Sequence, residues 1–177
     1  MTWANDILLF WFEELDPEDW WNKNDATDEL IEERFLELWE EQKSKTADEF
    51  LTSPETALAA VILFDQFPRN MFRDSAGAFS TDHLAQQIAE HAVDLKLDEK
   101  LSQEQRPFLY MPFMHAEDLQ LQNKSVTLFT KLGRQQKFAN EHHDVIARFG
   151  RFPHRNKVLG RQFRPGEQAA IDGGASW

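Results

Sequence analysis

Apolar residues recur at every third or fourth position along almost the whole chain, and prolines and glycines punctuate the gaps. That period is the signature of helices burying one face, and no segment shows the alternation of a strand. Trp3, Ile7, Phe10 and Trp11 define a first helix over roughly Trp3 to Leu15, with Thr2 as its cap and Pro17 ending it. Leu30, Ile31, Arg34, Phe35, Leu38 and Trp39 give a second helix after Asp25. Ser53-Pro54-Glu55 starts a third, through Leu58, Val61, Ile62 and Asp65, which Pro68 is expected to end. Ser80 or Thr81 caps a fourth, through Leu84, Ile88, Ala92 and Leu95. Ser102 and Gln105 form a capping-box pattern for a fifth, which Pro112 breaks or kinks. A sixth carries Leu119, Gln122, Val126 and Phe129 to a stop at Gly133, and a seventh carries Phe138, His142, Val145 and Phe149 to a stop at Gly150. The tail after Pro165 holds one more turn or two. The expectation is an all-α, compact array of about seven to nine helices, with short loops that favour antiparallel neighbours.

Nothing splits these 177 residues with a linker or low-complexity tract, so one domain over 1–177 is expected. The chain has no cysteine, which removes disulfides, thiolate catalysis and Cys-based zinc sites. No apolar run approaches the ~20 residues of a membrane span. Asn5 and Asp6 stand where a signal peptide needs basic residues, so a cytoplasmic location is expected, with no membrane partner. The net charge is −12, and the acids dominate residues 1–60. Such a surface repels nucleic-acid phosphates, and no nucleic-acid partner is expected.

Against this acidity stands a basic phrase, RFGRFPHRN at 148–156, with an echo, LFDQFPRN, at 63–70. Each follows an apolar helix. Proline gives a sharp exit, phenylalanine anchors the turn, and Arg69-Asn70 or Arg155-Asn156 is presented at a fixed place. Another arginine follows in each case, Arg73 or Arg161. Arginine offers a rigid fork for carboxylate or phosphate, and asparagine both donates and accepts. The plainer alternative is that these arginines pair with internal acids. Asp65, placed by the helix reading at a helix C-terminus, would then sit beside Arg69 or Arg73.

A third cluster, Met114-His115-Ala116-Glu117-Asp118, follows Pro112 and opens a helix. Acids in a first helical turn explain Glu117 and Asp118 but not His115. His142 lies on the apolar stripe of its helix, where a histidine is more often a hydrogen-bonded core residue than a catalyst. There is no H-E-x-x-H, P-loop, G-x-G-x-x-G or G-x-S-x-G. His143-Asp144 forms an HD dipeptide, as in helical metal-dependent phosphohydrolases, but one such pair among six histidines is expected by chance. No metal and no cofactor is assigned.

The segments WFEELDPEDWW, ILLFDQFPRNMFR, AFSTDHLA, FLYMPFMHAEDLQLQ and RFGRFPHRNKVLGR together resemble, in order and over nearly the whole chain, the bacterial domain-of-unknown-function family 924. The resemblance implies a tetratricopeptide-like helical fold, although the W-x-x-L-G-x-x-Y repeat is not visible. It implies no reaction. The family pattern falls on Asp65, Gln66, Arg69, Asn70, Arg73, His115, Glu117, Asp118, His142, Arg148, Arg151, His154, Arg155 and Asn156. Ala116 replaces the serine of the family's His-Ser-Glu-Asp, so a hydroxyl there is not essential. Arg164-Pro165-Gly166-Glu167 replaces a Ser/Thr-Pro-Glu-Glu start, and Trp177 stands for a terminal phenylalanine.

Three readings follow. In the first, the turns build a site for an anionic small molecule, and, without a cofactor motif, hydrolase, lyase or isomerase chemistry fits it better than redox. Arg69 and Arg155 hold the anion, and Asn70 and Asn156 orient it. Asp65, Arg73, His142 and Arg151 complete the binding set. His115 or His154 moves a proton, tuned by Glu117, Asp118 or Asp65. In the second, the helices form a tetratricopeptide-like interaction scaffold, and the ring-rich ILLFWF helix packs on a second copy or a protein partner. In the third, the polar phrases are buried pins between helices.

Overall fold

In the computed structural model, residues 2–175 are described; Trp177 lies outside them. The chain is all helical. The helices are α1 (Trp3–Leu9), α2 (Asp25–Gln42), α3 (Pro54–Val61), α4 (Phe67–Met71), α5 (Asp82–Asp94), α6 (Arg106–Met114), α7 (Leu119–Leu132), α8 (Gln136–Phe149) and α9 (Glu167–Asp172). Two π-helical segments, Phe10–Glu14 and Ile62–Gln66, extend α1 and join α3 to α4.

Side chains fix most boundaries as the sequence implies. Thr2 Oγ1 accepts from Asn5 N at 3.3 Å, and Ser53 Oγ accepts from Thr56 N at 3.1 Å. Ser102 and Gln105 bond reciprocally, at 3.0 and 3.2 Å, just ahead of α6. Gly133 and Gly150 stop α7 and α8 with φ of 72° and 68°, the left-handed region that favours glycine. Asp118 caps α7, accepting from Gln120 N at 2.8 Å and Leu121 N at 3.0 Å.

Pro68 does not end its helix. The rod running from Pro54 to Met71 passes through the π segment, and Pro68 falls in the first turn of α4, where its missing N–H costs little. Every residue from Ala57 to Pro68 is buried, so this rod is the centre of the fold rather than a surface helix. Helices α1, α5 and α6 pack on α3, and α2 packs on α4. Pro112 likewise interrupts nothing: α6 continues to Met114, and all residues from Pro107 to Met114 are buried.

Proline in the rod leaves the carbonyl of Phe64, four residues earlier, without its helical donor. Thr81 Oγ1 fills the place, donating at 2.7 Å, and itself accepts from Trp39 Nε1 at 3.2 Å. Thr81 occupies the position before α5, but this bond spends its hydroxyl, and it makes no cap. One residue thus ties the central rod to α2 and α5. Thr81→Val keeps the shape and orphans two buried polar groups. It is expected to lower stability by about 1–3 kcal/mol, read as a lower urea midpoint at unchanged m value.

Candidate functional site

Both Phe-Pro segments bring side chains to the same place, although the first lies within the continuous rod and only the second is a corner. In the first, Phe67 is fully buried against Phe35 and Trp11, with ring centroids 4.7 and 5.7 Å away. The π turn before it aims Asp65 inward; such turns recur at functional sites. In the second segment, Gly150 releases the chain from α8, Phe152 is fully buried, and Pro153 opens a short 3-10 turn, Pro153–Arg155. Arg155 therefore points into the molecule.

The two segments meet at Asp82, in the first turn of α5. Arg69 grips it with both Nη atoms, at 2.9 and 3.0 Å, and Arg155 Nη1 lies 3.5 Å from Oδ2. Arg69 also donates to the Asp65 carbonyl and stands 3.4 Å from the Asp65 carboxylate. Phe79 lies under both guanidiniums, 4.5 Å from Arg155 and 5.5 Å from Arg69, and Phe152 covers Arg155 at 4.5 Å.

His115, at the end of α6, completes the junction. Its Nδ1 is 2.9 Å from both oxygens of Asp65, and its carbonyl accepts from Arg155 Nη2 at 3.0 Å. Gln66 Nε2 donates to Asp65 as well. Burial pushes the Asp65 carboxyl up, but the Arg69 charge, the His115 imidazole and the Gln66 bond outweigh it and hold it at about 2. Asp65 is thus an anion that fixes the proton on His115 Nδ1 and leaves Nε2 with its lone pair. Burial lowers the His115 pKa, with Arg69 opposing the help of Asp65, so the ring is neutral at pH 7.

Two further histidines border the junction. The His142 ring is 6.4 Å from that of His115 and 5.5 Å from Phe152, and its Nδ1 donates to the Phe138 carbonyl at 2.8 Å. Burial is the main cause that pulls it down to about 3. His154, 5.6 Å from Phe152, is bonded to the Ala175 backbone and drops to about 4, by burial and then by Arg155.

The remaining expected site residues lie elsewhere, in three pins. Asn70 and Arg73 hold Asp28 of α2, at 2.8 Å and at 2.6 Å twice. Arg151 and Asn156 hold the buried Glu167 of α9, at 2.7 and 2.8 Å and at 2.9 Å. Glu117 takes both Nη atoms of Arg161, at 2.6 and 2.9 Å, and the Phe152 N–H at 2.7 Å. Asp118 is an exposed cap. These contacts correct the expectation that Asn70 and Asn156 face a common ligand. Asp65 is also not at a helix end, because the rod continues past it. The sequence reading missed Asp82, the hub of the junction. Its one signal is its place in AFSTDHLA, one of the segments that resemble the family.

The junction is closely packed. Asp65, Asp82 and Arg155 are buried, while the side chains of His115 and Arg69 keep 16% and 22% of their surface exposed. Among the described residues, one buried polar atom of the junction has no partner, Arg155 Nε, as do Asn156 Oδ1 at the Glu167 pin and Arg161 Nε at the Glu117 pin. Two open hollows, of about 470 and 340 Å³, are lined by other residues. Among the described residues, no three His, Asp or Glu side chains are placed to hold a metal ion, and no helix is long and apolar enough to cross a membrane.

Fold and junction together define an all-helical protein with a carboxylate–histidine pair beside one buried and one partly buried arginine. The chain belongs to the family described as "Bacterial protein of unknown function (DUF924)", whose profile matches residues 7–175. It is similar to a solved structure of a protein of unknown function from Agrobacterium tumefaciens, at 38% identity over 97% of each chain and a TM-score of 0.91. No curated protein matches it.

The lowered histidines make stability depend on pH. With folded values of about 3 and 4 against an ordinary 6.5, the unfolded chain binds more protons between these limits. Stability is therefore expected to fall as pH drops below about 6.5, before carboxylates titrate, by up to about 1.4 kcal/mol per pH unit for each histidine. His142→Asn keeps a donor for the Phe138 carbonyl and cannot titrate. Its melting temperature is expected to decline less steeply between pH 6.5 and 5 than that of the wild type.

Proposed function

We propose that the junction binds a small anionic molecule and that His115 Nε2 exchanges a proton with it. The observation that carries this reading is the His115–Asp65 pair. Its Nδ1 lies 2.9 Å from both oxygens of a fully buried carboxylate, yet the imidazole keeps a solvent-facing edge. A histidine needed only as a pin has no use for that edge. Asp65 orients the ring and selects its tautomer, as a carboxylate does for a general base.

Arg155 supplies the anion contact. Its Nε–H has no partner, and Phe79 and Phe152 hold its plane. Burial and then the Arg69 charge push its pKa down to about 10, so the surroundings disfavour this cation and an added anion relieves it. Arg69 is a positioning residue, because its fork is committed to Asp82 and Asp65. The bond changes that fit are those in which a proton is taken or given at the ligand, as in hydrolysis, elimination or isomerisation. In this reading the Asp28, Glu167 and Glu117 pins hold the two Phe-Pro segments in place.

The test is thermal stabilisation by phosphate, citrate and short-chain carboxylates, run on three proteins. Anions of this kind also stabilise proteins nonspecifically, so the comparison between proteins decides. The wild type is expected to show a saturable rise in melting temperature. Arg155→Met should lose it. His115→Asn keeps a donor toward Asp65 and removes the base, and it should retain it. If every anion shifts wild type and Arg155→Met equally, the junction is a pin and the reading is wrong.

A further inference from the structure

A second region, away from the junction, carries a separate inference. The turn at 16–22 is the common wall of the two open hollows. One hollow, about 470 Å³, is lined by Glu18, Asp19, Asn22, Lys23, Asn24 and Asp25. The other, about 340 Å³, is lined chiefly by rings, with Trp20, Trp21, Pro107 and Phe108 as floor and Glu104, Arg134 and Gln135 as rim.

The ring groove has features that internal packing does not explain. Trp21 keeps 55% of its surface exposed, although it stacks on Phe108 with centroids 6.0 Å apart and planes at 19°. The two indoles are close to perpendicular, at 85°. Trp20 Nε1 is spent on the Trp11 carbonyl at 2.8 Å, whereas the Trp21 N–H makes no hydrogen bond within the described residues. Gln135 sits in the left-handed region with φ of 54°, uncommon for a residue with a side chain, and its buried Oε1 has no partner. Strain of this kind, beside an orphaned acceptor, clusters where something binds.

We propose that the groove docks a basic, proline-containing peptide segment of another protein. The exposed Trp21 ring, set at right angles to the half-buried Trp20 beside it, offers a face on which a proline ring of an extended, pre-ordered peptide stacks. The Trp21 N–H is then the donor for a peptide carbonyl, which such peptides leave free. Charge selects the sign of the partner. Across the two hollows the acids Glu18, Asp19, Asp25 and Glu104 face the bases Lys23 and Arg134, and Lys23 is already paired with Asp25 at 3.3 Å. A second copy of this chain, at net charge −12, brings like charge to the same place.

The probe is a fluorescently labelled polyproline peptide carrying arginines at one end, titrated against the full chain by anisotropy. Saturable binding that weakens with added salt is expected. The exposed Trp21 permits Trp21→Ala without unfolding, checked by its melting curve, and this variant should bind at least about tenfold more weakly. Glu104→Lys should weaken the arginine peptide and strengthen a version with glutamates. Four outcomes overturn the proposal: no binding by the wild type, equal binding by Trp21→Ala, equal binding when alanines replace the prolines, or a concentration-dependent dimer that Trp21→Ala abolishes.

Discussion

The structure turns on one carboxylate. Asp82 receives both guanidiniums, one from each Phe-Pro segment, from residues 13 and 73 positions away in the chain. A buried charge left without its partner costs about 3–5 kcal/mol, so the four charges Asp65, Asp82, Arg69 and Arg155 are stable as a set and unstable piecemeal. That forces the Phe-Pro segment after α3 and the corner after α8 onto the start of α5. The neutral His115 enters the set by accepting at its carbonyl and donating at its ring, which adds the end of α6 without adding charge. Four distant segments are thereby fixed by electrostatics that hydrophobic burial alone would not specify.

The repeated phrase is one local solution used for two different attachments. Phe-Pro opens a helical turn in both copies, within a continuous rod in the first and after the Gly150 stop in the second, but the partners diverge. The first copy sends Asn70 and Arg73 to Asp28 and so pins α2. The second sends Asn156 and Arg151 to Glu167 and so pins α9. Only Arg69 and Arg155 keep the same role. The network reading therefore accounts for most of the repeated polar residues. What it does not account for is the His115 edge and the Arg155 Nε–H at the junction, and the buried Asn156 Oδ1 and Arg161 Nε at the pins.

Helices were legible because their signals are local: a cap, a period, a glycine in the left-handed region. The errors arose where a local signal met tertiary context. Pro68 reads as a stop, yet it falls at the start of a new helical turn behind a π segment, and Thr81 satisfies the freed Phe64 carbonyl from 17 residues away. A π turn has no sequence period of its own, so the local pattern puts Asp65 at a helix end although it lies inside a rod. Basic residues of the site stood out against an acidic background. Their acidic partners did not, because 31 acids offer no contrast by which Asp28, Asp82 or Glu167 could be picked. Charge rarity made one half of each pair visible and hid the other.

Helix α6 connects the two regions of interest. Phe108 near its start forms the floor of the ring groove, and His115 caps its end at the junction, seven residues or roughly 10 Å further along. Every residue between Pro107 and Met114 is buried, so the helix has no loose face along which to shift in part. Occupancy at one end can reach the other only if α6 moves as a body, and that would break the bond from Arg155 to the His115 carbonyl. The packing thus argues that the junction and the ring groove are independent regions on one rigid strut, with α6 setting the distance between them.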